Sequence, residues 1–186
     1  MLFRLLFSVL CLFWGAACGQ STDGQQILEW NEFYHLQWED FQGRPTAESI
    51  GDAGTVVQTK ANPYLVKKRV HYNVYAYFDR SRSWVRDKSK ELLAHEQLHF
   101  DIAELYARKI RKLIAQMQRD QVTDVSEYNA AIHRLLEESN EYDRLYDIQT
   151  LHGAMSKKQQ EWVLKVETEL ESLKEFRKQR KIISPN

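Results

Sequence analysis

Residues 95–99 read His-Glu-Gln-Leu-His within a stretch whose apolar residues recur at helical spacing, and the two histidines can act together only if that stretch is a helix. On a helix, positions i and i+4 lie about 40° apart around the axis, so His95 and His99 project from one face and can share a metal ion. Glu96 stands beside them, close enough to work on water polarised by that ion. Imidazole suits zinc and a neighbouring carboxylate can accept a proton, so the pattern points to Zn²⁺ with Glu96 as general base.

A catalytic zinc usually takes three protein ligands and keeps one position open, so a third residue is needed. Asp101 and Glu104 follow closely in sequence, but Asp101 is about 200° from His99 around the helix and Glu104 about 180° from His95, which excludes both as ligands from the same helix. The third ligand must come from elsewhere, most naturally from a second helix returning antiparallel to the first. That leaves His133, Glu137, Glu138, Glu141, Asp143, Asp147 and His152.

The order of elements supports such a pair of helices. Ile27 to Phe41 is a short aromatic element, closed by the turn formers Asp40, Gly43 and Pro45. Gly51 to Lys60 and Val70 to Phe78 alternate as strands do, with Val70, Tyr72, Val74, Ala76 and Phe78 on one face. A helix capped by Asp87 or Ser89 then carries the apolar stripe Leu92, Leu93, Leu98, Ile102, Leu105, Tyr106, Ile110 and Leu113. A second runs from Asp124 or Ser126 to His152-Gly153, with Gly153 as its stop. A third opens at Ser156-Lys157-Lys158-Gln159, a capping-box pattern, and presents Trp162, Val166, Leu170, Leu173 and Phe176. The predicted class is α+β, with a small N-terminal sheet of short strands packed on a mainly helical C-terminal half.

With 26 basic and 26 acidic side chains the chain has no net charge and lacks the basic excess of a nucleic-acid binder. Arg4, the apolar run Leu5 to Trp14 and the small residues Gly15, Ala16 and Ala17 form a signal peptide over residues 1–19, which predicts export to the periplasm, the medium or the cell envelope. Gly15-Ala16-Ala17-Cys18 loosely resembles a lipobox, and lipidation of Cys18 would attach the protein to a membrane through a polar tether at 20–26. Both cysteines, Cys11 and Cys18, precede the folded region of 27–186, so a metal there must be held by histidines and carboxylates.

Leu93-Ala94-His95-Glu96-Gln97-Leu98-His99-Phe100-Asp101-Ile102-Ala103-Glu104, then Tyr146-Asp147-Ile148-Gln149-Thr150-Leu151-His152-Gly153 and Gln160-Glu161-Trp162, together resemble an uncharacterised bacterial family of predicted secreted zinc-dependent proteases. Leu36-Gln37-Trp38-Glu39-Asp40-Phe41-Gln42-Gly43 resembles the N-terminal signature of that family. The resemblance implies a zincin-like metallopeptidase acting on a peptide or protein substrate.

Within the second motif His152 is the preferred third ligand, because an imidazole at the helix end can swing towards the first helix. Asp147 comes next, then Glu138 or Glu141. Tyr146 could donate its hydroxyl to an oxyanion. Asp101, Glu104 or Asp147 could accept the outer N–H of a ligating histidine. His35, His71 and His133 read as ordinary surface or core histidines. The strand Val70 to Phe78, if at a sheet edge, could hold an extended peptide. The cluster Lys174, Arg177, Lys178, Arg180 and Lys181 reads as a solvated helix end. The alternative to an enzyme is a non-catalytic envelope protein that binds a partner on the same fold.

Overall fold

The alternating run from Val70 to Phe78 does form a strand, and that strand lies in the middle of its sheet. The computed structural model describes residues 26–67 and 69–178. The signal segment, Cys18, all of the tether but Gln26, and Arg180 and Lys181 lie outside the described residues. Five strands come first, β1 (Ile27–Glu29), β2 (Ala53–Gly54), β3 (Val57–Val66), β4 (Arg69–Asp79) and β5 (Trp84–Val85). Three helices follow, α1 (Lys90–Arg119), α2 (Val125–Thr150) and α3 (Ser156–Ser172). This is the expected small sheet on a mainly helical half, with the histidine motif on α1 in a zincin-like arrangement.

β4 pairs antiparallel with β3 along its length and with β1 at Tyr77 to Asp79, while β2 pairs with β5. β1 covers only the end of β4, so from Val70 to Ala76 the strand has a paired strand on one side alone. β3 forms the full-length edge on the other side, where Pro63, having no N–H to donate, costs the ladder least. Val74, Ala76 and Phe78 are buried on the face that packs against α1.

Helix α1 is enclosed on two sides. Phe100, Ala103, Ala107 and Ile110 meet the sheet, whereas Leu98, Ile102 and Tyr106 pack with Tyr146 of α2 and Trp162 and Val166 of α3. Burying charges in such a helix requires partners. Glu104 accepts from Arg108 Nε at 2.9 Å and from Arg111 Nη1 at 3.0 Å, and the two guanidiniums donate onward to the carbonyls of Leu170, Val74 and Phe176. Glu104 therefore ties sheet, α1 and the end of α3 together, and does not reach a histidine.

The ends of the helices set the register of the site. Ser89 caps α1 by accepting from the Leu92 amide at 3.0 Å, and Asp124 caps α2 by accepting from the Ser126 amide at 2.8 Å. Between them a short turn with Gln121 at φ 59° sends α2 back along α1. The N-terminal segment is pinned to the motif helix by Gln97, whose Oε1 accepts from the Leu36 amide at 2.8 Å. Buried Asp40 pairs with Arg80 at 2.7 Å and accepts from Tyr34 Oη at 2.7 Å. Gly43 has no room for a side chain, since a Cβ there would come within 2.8 Å of the carbonyl oxygens of Ser81 and Ser83. The described part of the basic cluster is paired, with Lys178 on Glu29, Arg177 on Glu32 and Lys174 on Glu171. No helix of the described residues is long and apolar enough to cross a membrane.

Candidate metal centre

His95 and His99 emerge near the start of α1, and their Nε2 atoms lie 3.2 Å apart. Because α2 retraces α1, its C-terminal end returns to this level and brings Asp147 into place. Asp147 Oδ1 is 3.1 Å from His95 Nε2 and 3.2 Å from His99 Nε2. Three donor atoms on two helices thus mark a nearly equilateral triangle.

The outer ring nitrogens determine what these atoms can do. His99 Nδ1 lies 2.6 Å from Asp143 Oδ1, and His95 Nδ1 lies 3.3 Å from Gln159 Oε1. Both partners accept and neither donates, so each ring carries a proton on Nδ1 and in its neutral form turns a lone pair inwards at Nε2. Asp147 Oδ1 is buried there without a hydrogen bond of good geometry. Two lone pairs and a carboxylate oxygen converging in a largely buried space are suited to hold a cation between them.

In the protein alone a proton fills that role. Burial disfavours charge on His99, but the hydrogen bond to Asp143 and the Asp147 carboxylate facing the other ring nitrogen outweigh it and push its pKa up to about 10. Burial would raise the Asp147 carboxyl, but the two imidazoles outweigh it and hold it well below the usual carboxylate range.

The donor set fits zinc. A tetrahedral ion with ligand distances of about 2.0 Å keeps its ligand atoms about 3.3 Å apart, close to the observed triangle, and three ligands leave one position open. Two histidines and a carboxylate can also hold iron, but Glu96 next to the first ligand suits hydrolysis. Glu96 is itself buried, and its charge acts on both His99 and Tyr146.

His152 was ranked ahead of Asp147 as third ligand, and the structure assembles the triangle with Asp147. The helix stops at Thr150, and Leu151, His152 and Gly153 all take positive φ, at 48°, 53° and 85°. That turn lifts the His152 side chain to 78% exposure, with Nδ1 3.4 Å from Asp147 Oδ1 and outside the converging group. The other candidates are engaged elsewhere. Glu138 accepts from Tyr106 Oη, while Glu141 pairs with Arg144 and Glu137 with His133 on the surface.

Tyr146 was a candidate oxyanion donor. The structure buries it completely, with its hydroxyl 2.8 Å from Gln159 Oε1 and 3.1 Å from the His95 carbonyl. Its ring stacks on His95 at 4.8 Å and meets His99 edge-on at 5.0 Å, so it supports the ligands from behind. Asp101 likewise turns away, accepting from Trp30 Nε1 at 2.8 Å and Gln97 Nε2 at 2.9 Å. Burial outweighs these bonds and raises its pKa. His35, His71 and His133 take no part in the cluster.

Two supporting residues escaped the sequence reading in these roles. Asp143 is one turn before Asp147 on the same face of α2, a spacing that would have revealed it once Asp147 was chosen. Gln159 was read as part of a capping box. In the structure Met155 is the N-cap, Ser156 is already helical, and the Gln159 amide serves His95.

The remaining motif residues shape the turn. Thr150 is buried and donates to the Tyr146 carbonyl at 2.8 Å, while its own carbonyl accepts from the Met155 amide at 2.8 Å. Gly153 lies flat against His95, where a Cβ would stand 3.0 Å from the His95 Cβ and Cγ.

A model of a bacterial protein family of unknown function (DUF922) matches residues 70–153. The matched stretch opens in β4 and closes on Gly153, so it spans His95, Glu96, His99, Asp143, Asp147 and the left-handed turn. No curated protein and no solved structure matches the chain.

Proposed function

We propose that the chain is an exported zinc-dependent hydrolase that cleaves peptide bonds. The observation that carries this reading is the triangle of His95, His99 and Asp147, with edges of 3.1 to 3.2 Å, beside the Glu96 carboxylate. Zinc held there by His95, His99 and Asp147 would supply a Lewis acid, able to bring the ionisation of water near neutrality and to polarise a carbonyl.

The protein groups supply the rest. Asp143 and Gln159 keep the Nδ1 protons in place and the Nε2 lone pairs turned inwards. Tyr146 and Trp162 pack behind the ligands and exclude water from that side. The Glu96 carboxylate takes the proton of the attacking water and delivers it to the nitrogen of the departing amine. Peptide as the substrate class is supported by the resemblance carried by the two motifs. Export is supported by the ordered charged, apolar and small residues of 1–19, and Cys18 is the proposed site of membrane attachment.

The test is metal analysis and digestion of an unstructured protein such as casein, for the wild type and Glu96→Gln. We expect one zinc per chain in both, and a loss of cleavage of about 10²- to 10⁴-fold in the variant. Equal cleavage by the two proteins, or a wild type that takes up no zinc on equilibration, overturns the reading.

A further inference from the structure

We propose that His152 is a catalytic residue of this centre, a hydrogen-bond donor to the oxygen that becomes negative when water adds to the substrate carbonyl. The inference rests on the metallohydrolase reading and adds to it the residue that receives the developing charge.

The argument begins with the backbone. Leu151 and His152 both occupy the left-handed region, which residues with a Cβ adopt at a cost and which glycine or asparagine would fill more readily. The surroundings hold them there. The His152 amide donates to the Asp147 carbonyl at 3.0 Å, the Gly153 amide to Thr150 Oγ1 at 3.3 Å and the Met155 amide to the Thr150 carbonyl at 2.8 Å. Gly153 then presses on His95, so the turn is fixed against one proposed metal ligand and begins four residues after another. A strained, clamped position that carries an imidazole implies a use for the imidazole.

The side chain is placed for that use. His95 and His99 are buried, whereas the His152 side chain is exposed to solvent beside the partly exposed Asp147, where a substrate can reach it. Its Nδ1 lies 3.4 Å from Asp147 Oδ1, so the ring borders the cluster, yet it does not join the donor atoms that lie within 4.8 Å of one another. The other hydroxyl or imidazole donor next to the ligands, Tyr146 Oη, is committed to buried acceptors. Among the described residues, the exposed His152 imidazole at the border of the cluster is a donor that can meet an oxygen of the substrate.

The test uses the full mature chain loaded with Co²⁺, whose visible bands report the coordination of the ion, and phenylphosphonate as a stable tetrahedral oxyanion. His152→Ala removes the donor. His152→Asn also shortens its reach but tolerates the left-handed turn, which separates loss of the group from damage to the fold. We expect both variants to bind Co²⁺ as the wild type does and phenylphosphonate at least about tenfold more weakly, as for loss of a hydrogen bond to a charged group. Cleavage of casein should fall in kcat with KM little changed. Unchanged phenylphosphonate affinity overturns the proposal. Weakened Co²⁺ binding in both variants also overturns it, because His152 would then be a ligand. A wild type that binds no Co²⁺ removes the metal reading itself, an outcome distinct from either.

Discussion

Asp143 grips His99 at Nδ1, 2.6 Å away, one helical turn before the Asp147 carboxylate that faces the same ring at Nε2. The ring is held between two carboxylates of one helix, and neither its tautomer nor its orientation is free. Asp143→Asn keeps the shape and removes the charge, and should weaken zinc binding about 10- to 100-fold. Asp147→Asn, which takes away a ligand, should weaken it further. Competition against a chromogenic chelator gives both values, and an Asp143→Asn protein with wild-type affinity would show that the contact has no hold on the site.

Zinc binding should release a proton from His99. The pKa of His99 rises from 6.5 to about 10 in the folded, metal-free protein, although burial works against it, because Asp143 and Asp147 hold the charged ring. A raised folded pKa means that this contribution to stability is fully present below about pH 6.5 and is lost as the pH climbs through about 10. Metal needs the neutral ring, so between those limits its uptake must expel the proton and its affinity must rise with pH. Calorimetric titration in buffers of different ionisation enthalpy measures the release, and a binding heat independent of buffer would contradict it.

Gly153→Ala should damage both fold and site. The residue sits at φ 85°, and a Cβ would stand 3.0 Å from two atoms of His95. We expect a loss of about 1–3 kcal/mol in urea denaturation, together with weaker zinc binding as the His95 ring is pushed aside. A variant as stable as the wild type would show that the turn can relax away from the ligand.

Tyr146→Phe separates support from chemistry. The change keeps the ring that stacks on His95 and removes the hydroxyl that bonds to the His95 carbonyl and Gln159. Stability should fall by about 1–3 kcal/mol, since buried acceptors lose their donor, while kcat for casein changes little. A fall in kcat of about 10²-fold or more at unchanged zinc content would return the hydroxyl to the role of oxyanion donor.

The helices and the central strand were legible in the sequence because their apolar periods are long and uninterrupted, as from Leu92 to Leu113 and from Val70 to Phe78. The pairing of histidines at 95 and 99 followed from helical geometry alone. The choice between Asp147 and His152 did not, because it depends on where α2 stops. The stop comes at Thr150, whose hydroxyl bonds back to the Tyr146 carbonyl, and three left-handed residues follow. Periodicity carries no information about such a turn, and a helix continued to Gly153 would have aimed residue 152 differently. The task of Gln159 was hidden for another reason. A glutamine three residues after a serine is also a helix-capping pattern, and only the packing of α3 beside His95 shows which use prevails.

The turn between α1 and α2, with Gln121 at φ 59°, joins two long helices whose far ends meet at the metal cluster. The helices form a hairpin that is closed at one end by the chain and at the other by side chains. If a protease nicked the loop near Gln121, the two pieces would remain joined through His95, His99, Asp143 and Asp147 and through the apolar cluster around Tyr146. An ion bound there would add a removable staple between separate polypeptides, and a chelator would leave the apolar packing of Leu98, Ile102 and Tyr106 on Tyr146 to hold them by itself.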